Sequence, residues 1–207
     1  MKKLIALPVL AFCLAGFISV DFAAGDDLEP APFRGDPNSV LAKFDLQGQA
    51  NLDSFSEGAN PTFPLFPLPA TITQDPTGAP FYQVELPNYI DDLPLKLMRI
   101  QYSWFGQTGD AQTVTINVSP NVPGGSIALV DSGPITPVPG VPNAFHRYDD
   151  FEIRPNPDFE SIQVEFFNSD PRWLIFDTIS TVPEPSTLSL GLLLVAGLTT
   201  QRWRYAC

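Results

Sequence analysis

Cysteine is all but missing from this 207-residue chain, whose two cysteines are Cys13, inside an N-terminal apolar run, and Cys207, the last residue. The stretch between them can hold no disulfide, no thiolate metal site and no cysteine nucleophile, so its fold must rest on core packing. Histidine is nearly as scarce: His146 stands alone and cannot assemble a His-rich zinc site. Basic residues are few as well. The chain carries 11 Lys and Arg against 23 Asp and Glu, and setting aside Lys2, Lys3, Arg202, Arg204, Asp21 and Glu184 at the ends leaves 7 against 21. A surface this acidic repels phosphate backbones and anionic headgroups, which argues against nucleic acid and against unassisted docking on an acidic membrane. Cations, or solubility alone, suit it better.

The two ends differ from the interior. Lys2 and Lys3 precede an apolar run from Leu4 to Val20, and the small residues Ala23-Ala24-Gly25 follow. Basic, apolar and small-residue parts in that order make a secretory signal peptide over residues 1–25, with cleavage before Asp26. An uncleaved signal anchor is the less favoured alternative, because the run is at the short edge of a span. The remaining length, residues 26–181, suits one passenger domain.

At the other end Val182-Pro183-Glu184-Pro185-Ser186-Thr187 precedes an apolar run from Leu188 to Leu198, with Arg202 and Arg204 beyond it. The prolines bar a helix and hold the backbone extended, while Glu184 offers a charged handle between them. The run from Thr187 to Thr200 would be roughly 21 Å long as a helix, short of a hydrocarbon core of roughly 30 Å, and so a weak permanent anchor. Arg202 and Arg204 favour the cytoplasmic side, as do Lys2 and Lys3, and both ends then leave the passenger outside. Residues 182–207 resemble the PEP-CTERM sorting signal of Gram-negative bacteria that make exopolysaccharide. The resemblance implies an exosortase-type membrane protease that recognises Pro183, Glu184 and Pro185 and removes the tail. It implies a cell-envelope or extracellular destination, exopolysaccharide as a partner, and transient association with the inner membrane through the C-terminal helix before processing. In that chemistry this chain is substrate and not catalyst.

The passenger has the period-two hydrophobicity of strands. Val114, Ile116 and Val118 share one face, as do Met98, Ile100, Tyr102 and Trp104, and as do Ile162, Val164 and Phe166. Weaker runs lie at Val40 to Leu46 and Phe81 to Leu86. Ser126 to Val130 and Arg172 to Ile179 are apolar at nearly every position, as expected of strands buried on both sides. At least seven strands with one polar face each predict an all-β fold, an antiparallel β-sandwich of jelly-roll or immunoglobulin-like kind. Twenty of the 23 prolines fall in the passenger and cluster between the strand candidates. Two stretches, Pro61 to Pro69 and Pro134 to Pro139, predict extended loops that cover the ends of the sandwich or dock a partner.

Chemistry is sparsely signalled. Asp131-Ser132-Gly133 is similar to the Asp-Ser-Gly of trypsin-like proteases, yet His146 follows it where those enzymes place histidine first, and there is no nucleophile elbow. No catalytic residue is assigned, which leaves a secreted hydrolase as the weakest reading. Asp149, Asp150 and Glu152 are the best-placed acidic cluster, and calcium is the one cofactor they suggest, although no EF-hand spacing occurs. Tyr89, Trp104, Phe105 and Tyr148 could stack on sugar rings, and a glycan- or calcium-binding module is therefore the alternative to a sorted envelope protein without catalytic function. Trp104 shares the parity of Ile100 and Tyr102, which equally suits a core residue.

Overall fold

The computed structural model describes residues 27–58, 62–76, 81–106, 114–120, 125–167 and 169–182, the fourth of these as strand placement only. The expected signal peptide, residues 1–25, and the expected sorting tail from Pro183 onward lie outside the described residues. Among the described residues there are strands and turns and no helix.

Eleven strands follow one another: β1 (Ser39–Asp45), β2 (Asn51–Glu57), β3 (Thr71–Gln74), β4 (Phe81–Pro87), β5 (Leu95–Phe105), β6 (Val114–Pro120), β7 (Ser126–Ser132), β8 (Thr136–Pro137), β9 (Ala144–Arg154), β10 (Phe159–Phe166) and β11 (Asp170–Thr181). They form a seven-stranded sheet in the order β2-β1-β11-β5-β9-β7, with β8 also on β9, and a four-stranded sheet in the order β3-β4-β10-β6. Every pairing is antiparallel.

The alternation in the sequence decides which faces meet. Met98, Ile100, Tyr102 and Trp104 on β5 point inward with Phe44 of β1 and Phe176 of β11, against Tyr82, Val84 and Leu86 of β4 and Ile162, Val164 and Phe166 of β10, in one apolar core. Rings interlock there at edge-to-face angles, Phe44 on Phe176 with centroids 5.8 Å apart and Tyr82 on Phe166 at 6.1 Å. The architecture is thus all-β, antiparallel and sandwich-like.

Strand β11 is the centre of the large sheet, and its five successive residues Leu174 to Thr178 are all buried. That agrees with its largely apolar character, with Asp177 and Thr178 the polar members of the five. What covers its outer face is the N-terminal segment 27–38, whose Ala31 is itself buried. The other uninterrupted run, Ser126 to Val130, is different: it forms edge strand β7, with Leu129 and Val130 more than half exposed. Expected burial on both sides gives way here because composition cannot tell a central strand from an edge whose far side has no partner.

The first proline-rich loop folds back on its own sandwich. Phe66 packs on Phe159 with ring centroids 5.8 Å apart, and Leu65 bridges to Tyr89. In the second loop Val138 is buried, and β8 lies along β9.

Candidate functional site

The acidic cluster expected to attract calcium sits in β9, a strand and not a loop, and strand alternation turns Asp149 to the opposite face from Asp150 and Glu152. Asp149 turns inward, where it accepts hydrogen bonds from Tyr102 Oη (3.0 Å), Ser132 Oγ (2.6 Å) and Arg147 Nη2 (2.8 Å). Asp150 turns outward to a two-pronged pair with Arg99, both contacts 2.7 Å. Glu152 meets Arg154 at 3.1 Å. Each of the three carboxylates faces its own arginine, and among the described residues no group of three or more potential ligating side chains gathers. The hydroxyl of Ser132 is likewise committed to Asp149, while His146 Nε2 lies 3.4 Å from Gln101 Oε1. Serine and histidine therefore serve different partners.

The aromatics proposed for sugar stacking fare similarly. Tyr89 and Trp104 are fully buried. Arg99 lies over the Tyr148 ring, 3.9 Å from its centroid, and Arg172 over Phe105 at 4.5 Å. The sorting residues Pro183, Glu184 and Pro185, and the basic residues Lys2, Lys3, Arg202 and Arg204, lie outside the described residues.

Two polar constellations that the sequence did not announce are the most developed features of the domain. The first fastens segment 27–38 across the large sheet. Asp27 receives Arg34 Nη1 at 2.5 Å, Lys43 Nζ at 2.5 Å and Gln101 Nε2 at 2.9 Å. Arg34 reaches on to Asp177 of β11 through Nε (2.5 Å) and Nη2 (2.6 Å). The backbone N–H groups of Glu29 and Ala31 donate to Gln101 Oε1 (2.8 Å) and Asp177 Oδ2 (3.3 Å). Burial by itself pushes the Asp27 carboxyl up, but the donors Arg34, Lys43 and Gln101 outweigh it and hold the group at about 2. Every charge in this network has an opposite partner, so it is built to hold a segment down and has nothing left over for a ligand.

The second lies between the sheets at the end where β11 finishes. Lys96 opens β5 and shares the inward parity of Met98, while Glu160 opens β10 and shares that of Ile162. They meet across the sandwich as an ion pair, and both side chains are completely buried. Beyond each other, Lys96 Nζ and the Glu160 oxygens have no hydrogen-bond partner among the described residues. Burial draws Lys96 down and pushes Glu160 up, each toward its neutral form against the pull of the other. Around them Asn88 Nδ2 donates to Asn156 Oδ1 (2.9 Å) and Pro157 O (2.8 Å), and Asn156 Nδ2 donates to Asp91 Oδ1 (2.8 Å) and Ser180 Oγ (3.0 Å). Asp158 is pushed up by burial and by the nearby Asp91.

The comparisons with known proteins add nothing to this geometry: no protein-family model, no curated protein and no solved structure matches the chain.

Proposed function

We propose that this chain is an exported cell-envelope or extracellular-matrix protein, without catalytic function of its own, that is sorted and processed through Pro183-Glu184-Pro185. The carrying observation is the order of the tail: a Pro-Glu-Pro motif, an apolar run too short to anchor well, and Arg202 and Arg204 after it. An exosortase-type protease is then the partner that removes the tail, the inner membrane holds the C-terminal helix until it does, and exopolysaccharide surrounds the mature protein.

The disposition of the domain supports this reading. Asp27, pinned by three side chains, stands one place after the expected new terminus at Asp26. Strand β11 runs to Thr181, two residues before Pro183. Six of the seven basic residues of the passenger stand in ion pairs, which supports a reading without nucleic acid as a partner. The strand order favours a jelly roll over an immunoglobulin-like sandwich. From β4 to β7 each successive strand changes sheet, β10 and β11 change again, and the first strand, β1, lies antiparallel beside the last, β11.

The test is Glu184→Ala in a Gram-negative host that carries an exosortase. Export continues, because the signal peptide is untouched, but the tail stays on and the protein remains in the membrane fraction. Deleting residues 188–207 instead releases it as a soluble species. Tail removal at the wild-type rate in Glu184→Ala would show that the motif is not what the protease reads.

A further inference from the structure

We propose that Lys96 and Glu160 become joined by an amide bond between Nζ and the side-chain carboxyl carbon, a covalent tie between the two sheets. The proposal stands on the cluster just described and is independent of the sorting tail. Two fully buried side chains of opposite charge lie in direct contact, yet beyond each other neither the ammonium nor the carboxylate has a hydrogen-bond partner among the described residues. A buried ion pair is tolerated when further hydrogen bonds satisfy the rest of each charged group, and here those bonds are missing. Condensation removes both charges at once. It also replaces four underserved polar positions, three protons on nitrogen and a carboxylate, with one N–H and one C=O.

The reaction balances without any outside reagent. Proton transfer within the pair gives a neutral amine and a neutral carboxylic acid, the forms toward which burial pushes Lys96 and Glu160. The Nζ lone pair attacks the Glu160 carboxyl carbon, a C–N bond forms, a C–O bond breaks, and the hydroxyl leaves as water with a proton from nitrogen. In free solution the equilibrium opposes such a step. Two groups held in contact react at effective concentrations on the order of 10^5 M or more, and a dry site disfavours the returning water.

The consequence is mechanical. The passenger has no cysteine, so no disulfide can link its sheets, and an amide between β5 and β10 would supply a link that reduction cannot break.

Peptide mapping by mass spectrometry of the full-length folded chain tests this, and it is indifferent to how the termini are processed. The expected result is a branched peptide uniting the segments around Lys96 and Glu160, lighter than their sum by one water, absent from Lys96→Met. Separate linear peptides that together carry both residues at full mass, from protein with a native strand spectrum, overturn the proposal and leave an ion pair only.

Discussion

Replacing Asp27 with asparagine removes one negative charge from under two cations and keeps the side chain's shape, which isolates what the carboxylate contributes. Its carboxyl is held at about 2 against an ordinary 3.8. Each unit of such a shift corresponds to about 1.4 kcal/mol, so the folded state gains about 2 kcal/mol from Asp27 wherever the unfolded carboxyl is ionised. The side chain is only 6% exposed, so solvent screening takes little from that figure. Because the folded value is depressed, the contribution is fully present above about pH 4 and disappears as the pH falls toward about 2. Urea unfolding of wild type and Asp27→Asn should therefore differ by about 2 kcal/mol near neutrality and converge in acid. Hydrogen exchange gives a local reading of the same event. The amides of Glu29 and Ala31, which donate to Gln101 and Asp177, should lose protection in the variant even where global unfolding shifts less. A gap that persists unchanged at about pH 2, or wild-type protection of both amides in the variant, would refute the assignment of segment 27–38 to an electrostatic clasp.

Gly58→Ala should cost about 2–3 kcal/mol in thermal or urea unfolding, because a Cβ there would overlap the backbone oxygen of Asp36, which cannot retreat as a side chain could. Trp104→Ala should cost about 3–5 kcal/mol, since its indole is fully buried between Tyr102 (5.7 Å) and Phe145 (6.2 Å). Val130→Lys on the exposed edge strand should leave stability within about 0.5 kcal/mol of wild type and lower the tendency to self-associate, read by light scattering.

The strands that could be read from the sequence were those with an unmistakable period. Met98 to Trp104 and Ile162 to Phe166 show one apolar face each and supply the two halves of the core. Arg172 to Ile179, apolar at most positions, lies at the centre of the large sheet. Legibility failed where charge obscured the period or where the decisive partner is remote. Strand β9 carries Arg147, Asp149, Asp150 and Glu152 in six residues and looks like a solvated loop, although Arg147 and Arg154 of the strand itself pair with Asp149 and Glu152, and the folded sheet brings Arg99 of β5 alongside Asp150. Strand β2, Asn51 to Glu57, lies at an edge with little to bury and so has little pattern to show. The clasp joins Arg34 to Asp177 across 143 positions, a separation at which spacing carries no information. The Lys96 and Glu160 pair left a trace. Each keeps the parity of an apolar face, and a charged residue in phase with buried neighbours is the one local sign that it faces another charge across the core.

Where these features lie relative to the chain ends bears on what the domain must withstand. Strand β11 leads directly into the residues before Pro183, so any pull on the tail, from a membrane or from a matrix, enters the sandwich through it. That strand is paired along its length with β1 on one side and β5 on the other, so the load is shared as shear over two ladders instead of peeling one edge. Its last turns are the weak point, because β1 stops at Ile179 while β5 continues alone to Thr181. Lys96 sits opposite Ser180 in that final stretch, and Asn156 holds Ser180 from the other layer. A tie from Lys96 to Glu160 thus passes load from the last supported residues of the large sheet into β10 of the small one, whose own neighbours β4 and β6 are engaged along most of its length. At the opposite end of the chain the clasp of Asp27, Arg34 and Asp177 fixes the incoming segment to the same strand. The incoming segment is therefore made fast to β11, the last strand among the described residues.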